Sequence, residues 1–453
     1  MNAMWLSEAA AGLGAMRRGK DVQFAGVCTD SRRTELGTLF VALRGARVDG
    51  HEFVDQAAAR GAAGAMVSRE LDTSLPLLKV GDTRRALGGL AALWRRGSAA
   101  SVVAVTGSNG KTSVKEMLAA ILAHCGPVLA TRGNLNNDIG LPLTLLELRD
   151  PHRYAVVEMG ANHFGEIDYL SRIARPDVAV ITNAGAAHLE GFGDVAGVAR
   201  AKAEIFGGMA PGGTAVINAD DPQSELWREA AVGLHALTFG LNQRADVSAY
   251  WQPEGEGGRM ELHTSEGDCA LRLPLPGVHN IMNALAAAAA GLAAGAGLEE
   301  IRRGLEAVRP VRGRLQWRGT LGGVGLLDDT YNANPTSLDA ALEVLVATPG
   351  EKWLVLGDMA ELGGEAEALH EQAGRLARAA GVGRLYAVGS ASAAAVDGFG
   401  AGARHFTDWR ELVEQLRRDW PQRGTVLVKG SRSMHMERVI EALLQAGVAG
   451  GGH

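Results

Sequence analysis

The chain has 453 residues, more than a single hydrophobic core accommodates, and ordinary domain sizes point to about three domains. Its formal charge of −6 excludes a broad electrostatic field for nucleic acid, so any anionic ligand has to be met by local groups. Cys28, Cys125 and Cys269 share no CxxC spacing, which argues against a disulfide frame or a zinc cluster and favours a reducing cytoplasm.

Near the start, Arg17 and Arg18 follow the apolar residues instead of preceding them, the reverse of a secretory leader. Over residues 26–45 short apolar runs alternate with turn residues, and the pattern then shifts to a helical period, as in a small α/β unit. Asp30-Ser31-Arg32 and Asp49-Gly50-His51 fall on loops, where a polar ligand or a solvated turn fits equally well. A helix over Thr83–Arg96 is expected to close the first domain, residues 1–98.

Residues 101–105 then read as a buried parallel strand, rich in valine and bounded by Gly and Ser. From residue 112 to 125 the apolar side chains Val114, Met117, Leu118, Ile121 and Leu122 form one helical stripe. The loop between them, TGSNGKTS, has the makings of a phosphate site. Gly107 and Gly110 let backbone N–H groups approach an anion, Lys111 adds a positive charge, and the Thr112 hydroxyl can join a Mg²⁺ shell.

Asn134, Asn136, Asn137 and Asp138 crowd one loop that no apolar core can satisfy, so they are expected at solvent or at a polar ligand. YAVVEMGAN is a strand whose end delivers Glu158, and a carboxylate at the carboxyl rim of a parallel sheet can hold Mg²⁺. A further strand leads to Asn183 and His188 at the same type of rim. On the helix that follows, Lys202 lies between Val198 and Ile205 on the apolar arc. An inward lysine must pair with a phosphate or carboxylate, lose its charge, or be converted to a carbamate. Asn280 and Asn283 open a later helix one turn apart, placed to read a base edge or to cap the helix. The run over residues 285–298 is too short and too rich in Ala and Gly for a membrane span.

The second domain is expected to end at residue 308, and RPVRGRLQW reads as a linker to a third domain, residues 309–453. Strands ending in Asp328-Asp329, in WLVLGDMAELG, in RLYAVG and in TVLVKGSRS alternate with helices, including Trp409–Arg418, and predict a second parallel sheet. Lys429, Ser431 and Arg432 follow its last strand. Two polar rims joined by an arginine-bearing linker point to a cleft that closes by domain movement.

Together these stretches resemble the Mur ligases of bacterial cell-wall synthesis over essentially the whole chain. TGSNGKTS matches the family's phosphate loop, and GNLNNDIGLP, EMGANHFGEI, AAHLEGFG, DDTYNANP, LGDMAELG and LVKGSRSM point to its dipeptide-adding branch. The resemblance implies an α/β protein of three domains: a small UDP-substrate-binding domain, a central P-loop ATPase-like parallel-sheet domain and a C-terminal Rossmann-like domain. It implies a ligase that uses ATP and Mg²⁺ to join D-alanyl-D-alanine to a UDP-N-acetylmuramoyl-tripeptide through an acyl phosphate; separately, a cytoplasmic location and, by default, a monomer are expected. No nucleic acid and no membrane insertion are expected.

Carried over by motif, Gly107, Ser108, Asn109, Gly110, Lys111, Thr112 and Ser113 would hold the ATP phosphates, with Lys111 stabilising the transferred group. Glu158 and His188, with Thr112 and a carbamoylated Lys202, would form the metal site and share in catalysis. Asn280 and Asn283 would meet adenine, Asp329 the ribose, and Arg314 the phosphates on closure. Ser31, Arg32, Gly45, Asp49 and His51 match the uridine-nucleotide region. Asn134, Asn136 and Asn137 fall on the substrate side, and Asn332, Asn334, Lys429 and Ser431 on the nucleotide or dipeptide side. Gln316 departs from the acidic residue that the wider family carries after the linker arginine. Two rivals are a sister ligase adding a single amino acid and a nucleotide switch that needs only the phosphate loop.

Overall fold

Alternating side chains on the strand Ser101–Thr106 set the architecture, because Val102 and Ala104 face one hydrophobic core while Val103 and Val105 face another. The computed structural model describes residues 3–449. Ser101–Thr106 lies inside a six-stranded parallel sheet ordered Val128–Ala130, Tyr154–Glu158, Ser101–Thr106, Val178–Ile181, Thr214–Asn218 and His235–Phe239. The chain winds outward from it in both directions. Its carboxyl end is therefore the switch point where α/β sheets gather ligands.

Helices cover both faces. Lys111–Ala123, Val278–Ala293 and Leu298–Ala307 pack on the side of Val103 and Val105, so the alanine-rich run at 285–298 is the end of an interior helix, a turn and the first residue of the next helix. The other face is continuous with the N-terminal segment. Leu6, Leu39, Met66, Leu87 and Trp94 share one core with Val102, Leu129 and Ile181, and the Trp94 indole donates to the Leu148 carbonyl at 3.0 Å. That segment carries its own sheet, in which Gly26–Cys28, Thr38–Val41, Gly64–Val67 and Leu77–Lys79 run parallel and Met16–Arg18 adds an antiparallel edge.

The C-terminal sheet is ordered Gln316–Leu321, Val324–Asp329, Gly424–Lys429, Glu351–Gly357, Arg384–Val388 and Ala403–Phe406. All its pairings are parallel except that of Gln316–Leu321, and separate cores fill its two faces. The helices Thr83–Arg96 and Trp409–Arg418 occupy their expected spans. The phosphate-loop helix starts one residue before its expected span and ends at Ala123. A separate antiparallel sheet, Ser248–Glu254, Gly257–Thr264 and Gly267–Leu273, lies between the last strand of the parallel sheet and the helix Val278–Ala293 in the chain. Among the described residues no helix is long and apolar enough to cross a membrane.

Candidate active site between the two large sheets

The carboxyl rims of the central and C-terminal sheets meet at a cavity of about 1260 Å³. At its centre lies the phosphate loop. Gly107 (φ +147°) and Gly110 (φ +82°) take backbone conformations that favour glycine, and a Cβ there would collide with Thr182 Oγ1 and Asn283 Oδ1 respectively. The loop is braced from the next strand, since Asn183 Oδ1 accepts from the Asn109 N–H (2.9 Å) and Thr182 Oγ1 donates to the Asn109 carbonyl (2.6 Å). Lys111 folds back to donate to the Gly107 and Ser108 carbonyls at 2.6 and 3.1 Å. Burial pushes its ammonium down to about 8; Arg314 adds to that push and Glu158 opposes it. Ser113 lines the cavity from the first turn of the helix.

Glu158 is buried at the end of its strand, where Thr112 Oγ1 donates to one carboxylate oxygen (2.9 Å) and Asn136 Nδ2 to the other (2.7 Å). Arg314, stacked 4.2 Å from the Tyr331 ring centroid, donates to the same Thr112 hydroxyl at 2.9 Å. The linker therefore already reaches the phosphate loop. Among the described residues no three His, Cys, Asp or Glu side chains form a metal cage. This donor set suits Mg²⁺, which takes one or two carboxylates, a hydroxyl, water and substrate phosphate in preference to a full protein cage.

Lys202 is 1% exposed, with its ammonium 5.4 Å from the centroid of Phe192. Burial first, and the Lys111 charge second, push it down to about 7, only partly countered by Glu204 and Glu166. The inward placement expected from helical spacing is thus met. His188 lines the cavity from a left-handed backbone conformation (φ +56°), and its Nδ1 lies 2.5 Å from the Glu361 carboxylate of the C-terminal sheet.

Asn280 and Asn283 are buried at the cavity, and neither caps its helix, which starts after Gly277 without a side-chain cap. Asn280 Nδ2 donates to the Pro276 carbonyl (2.8 Å) and Asn283 Nδ2 to Asn280 Oδ1 (3.2 Å). His279, which no sequence motif singles out, lines the same cavity. It is held neutral by burial, down to about 4, and its Nδ1 is a buried polar atom without a partner. Across the cavity Asn334 accepts from the Ser337 N–H at the head of the helix Pro335–Val346 and donates through Nδ2 to Asn109 Oδ1 at 2.9 Å. This amide pair stitches the two sheets together at the phosphate loop.

Several expected ligand-facing groups have partners within the protein. Lys429 is buried, donating to Asp329 Oδ2 (2.5 Å) and to the Asn332 carbonyl (3.0 Å), while Asp329 Oδ1 accepts from the Leu315 N–H. Ser431 is also buried, bonding to the Ala333 carbonyl and the Ala360 N–H, so it is Arg432 that lines the cavity. Asn134 lines the cavity, and so does Asn137, which accepts from the Gly140 N–H at the start of the helix Gly140–Leu145.

The N-terminal candidates stand outside this cavity. Ser31 Oγ donates to Gln56 (2.5 Å), and the exposed Arg32 makes a two-pronged bond to its neighbour Asp30. Gly45 closes a turn onto the Val48 carbonyl. His51 is buried, with Nδ1 on Asp49 (2.5 Å) and Nε2 accepting from the Ser68 N–H, which matches the structural role more common for a lone histidine. The N-terminal segment instead reaches the cavity through Asp82, Arg84 and Arg85, with Arg84 paired to Asp138. No local motif marked Arg84, because its partner lies 54 positions away.

Comparison with known proteins agrees with this arrangement. Residues 23–95 match the description "Mur ligase family, catalytic domain", residues 105–291 "Mur ligase middle domain" and residues 313–432 "Mur ligase, glutamate ligase domain". The chain is 48% identical to the UDP-N-acetylmuramoyl-tripeptide--D-alanyl-D-alanine ligase of Escherichia coli K12, covering 95% of this chain and 96% of that one. Among solved structures, it is similar to MurF from Acinetobacter baumannii (TM-score 0.92, 40% identity, 98% and 100% coverage). It is also similar to the MurF ligase from Thermotoga maritima in complex with ADP (TM-score 0.85, 29% identity, 94% and 98% coverage). With the phosphate loop, the braced carboxylate and the second parallel sheet all in place, this chain belongs to the Mur ligase family.

Proposed function

We propose that the protein is an ATP-dependent ligase that joins D-alanyl-D-alanine to UDP-N-acetylmuramoyl-tripeptide in peptidoglycan precursor synthesis. The observation that carries this reading is the meeting of two sheet rims at one cavity. A switch needs only a phosphate loop, whereas this cavity exceeds the roughly 300–1,000 Å³ of a site for one small ligand and is walled by Asn280, Asn334 and Arg432 as well.

In this reading residues 1–98 hold the UDP end, 99–308 bind ATP, and 309–453 close over both. The loop N–H groups and Lys111 cradle the β- and γ-phosphates, and Arg314 advances along them from the linker. Thr112, Glu158 and His188, with a carbamate on Lys202, would hold Mg²⁺, which would neutralise charge on the transferred phosphoryl group. Asn280 and Asn283 read adenine from one side of the nucleotide and Asp329, fixed by Lys429, meets the ribose from the other. Asn134, Asn136, Asn137 and Asn332 line the approach of the acid and the dipeptide. Arg32 exchanges Asp30 for a diphosphate oxygen, beside Ser31 and the turn at Gly45 that Asp49 and His51 shape. The γ-phosphoryl group passes to the tripeptide carboxylate; the dipeptide amine then attacks the acyl phosphate, forming the amide and releasing phosphate, with ADP as the other product.

The test is phosphate release across a matrix of acids and amines. UDP-N-acetylmuramoyl-tripeptide with D-alanyl-D-alanine should support turnover at least about 10²-fold above the same acid with D-alanine, because a site built for the dipeptide leaves polar groups unpaired with the shorter amine. Equal use of both amines would move the protein to a sister activity, and turnover without any amine would support the switch.

A further inference from the structure

From the contact between His188 and Glu361 we infer that Glu361 is a positioning residue. Delivered by the C-terminal sheet, it fixes the tautomer of a metal-binding histidine on the central one. The inference rests on the reading of His188 as a metal ligand. His188 Nδ1 stands 2.5 Å from Glu361 Oε2, in ion-pair contact although out of line for a well-formed hydrogen bond, so a metal bond from this ring goes through Nε2. A carboxylate on the far nitrogen of a ligating histidine orients the ring and raises its basicity, and losing it typically costs 10- to 100-fold in metal affinity.

The contact is built on both sides. His188 (φ +56°) and Glu361 (φ +62°) each hold a left-handed backbone that a non-glycine residue adopts at a cost. The Glu190 N–H points to the Glu361 carbonyl at 3.4 Å, and Gly363 (φ +61°) approaches Glu190 closely enough that an added Cβ would meet it at 3.5 Å. The Glu361 loop is anchored in turn. The Met359 N–H donates to His370 Nε2 (2.9 Å), His370 Nδ1 meets the Ala366 carbonyl (2.6 Å), and the Ala360 N–H donates to Ser431 Oγ (2.7 Å). His370 and Ser431 are buried. They hold a loop whose Glu361 side chain is half exposed and reaches the other sheet. The C-terminal sheet thus supplies a part that the metal-binding histidine lacks on its own.

The experiment uses the full-length chain with ¹⁵N-labelled histidine, and the His188→Ala spectrum assigns the signal. In the metal-free protein the wild-type His188 should be the Nδ1–H tautomer. Glu361→Ala should shift it towards Nε2–H, weaken Mn²⁺ binding in the presence of ADP about 10- to 100-fold by electron paramagnetic resonance, and lower kcat more than it raises the KM for ATP. Glu361→Gln, whose amide oxygen still accepts from Nδ1–H, should restore the tautomer and most of the Mn²⁺ affinity. An unchanged tautomer, or Mn²⁺ affinity within twofold of wild type in Glu361→Ala, overturns the role of Glu361. If His188→Ala also leaves Mn²⁺ affinity unchanged, the metal assignment of His188 itself falls, whereas loss in His188→Ala alone removes only Glu361.

Discussion

Lys111→Ala is expected to lower kcat about 10²- to 10³-fold, the cost of losing one preorganised donor at a transition state, about 2.7–4 kcal/mol. The ammonium is bonded to the Gly107 and Ser108 carbonyls, so it must leave its own loop to reach a phosphate. Its removal also leaves those two carbonyls without that donor, and a thermal melt with and without ATP separates a deformed loop from a lost charge. pH supplies a second handle. Because burial holds the free ammonium down to about 8, its charge is present below that pH and is lost as pH rises through it. The KM for ATP should therefore climb above about pH 8 in the wild type and stay flat in Lys111→Ala. A folded Lys111→Ala enzyme with near-normal turnover would remove Lys111 from the transition state.

Lys202→Ala and Lys202→Arg should each leave less than about one-thousandth of the wild-type rate, for different reasons. Alanine removes the group that becomes an oxygen donor on carbamoylation. Arginine keeps a positive charge in a buried site beside Lys111 and cannot form the carbamate. With the amine held down to about 7, the neutral form that reacts with CO₂ grows as pH rises through 7, so ¹³CO₂ NMR should show more carbamate at pH 8 than at pH 6.5. Acetate should partly restore Lys202→Ala by occupying the vacated oxygen position. Stability gives a test free of turnover. The folded pKa lies below the unfolded one of about 10.4, so the unfolded chain binds more protons between them and CO₂-free wild type loses stability as pH falls from about 10 to about 7. The Tm of Lys202→Met should rise relative to wild type over that window. Full activity of Lys202→Arg would leave only a lysine paired to phosphate.

Local chemistry made part of this site legible. The phosphate loop announces itself because its glycines, lysine, strand and helix are contiguous, and Lys202 was placed inward by spacing on one helix. Glu158 was legible as the end of a strand. What stayed hidden depends on partners distant in sequence. Lys429 reads as a ligand-seeking cation until Asp329, 100 residues earlier, is seen to neutralise it. Thr336 reads as the cap of its helix and Asn334 as a ligand-side amide, but Asn334 is the cap, and its second hydrogen bond runs to Asn109. The common core of the N-terminal and central segments was equally illegible, since Leu39 and Trp94 carry no mark of what they pack against. The C-terminal sheet has cores of its own, so closure should be sought at residues 308–316 and not at the joint near residue 98.

Each large sheet is assembled from one continuous stretch: strands between residues 16 and 79, between 101 and 239, and between 316 and 429. On a ribosome, then, the sheets emerge complete one after another. The phosphate loop emerges long before Asn334, 225 positions after Asn109, and at roughly 5–20 residues per second that gap is on the order of ten to fifty seconds. During that interval the nascent chain can carry a shaped phosphate loop but has neither the linker arginine nor the Asn334 wall. The complete cavity around the phosphate loop thus exists only after the last sheet has followed the first two out of the ribosome.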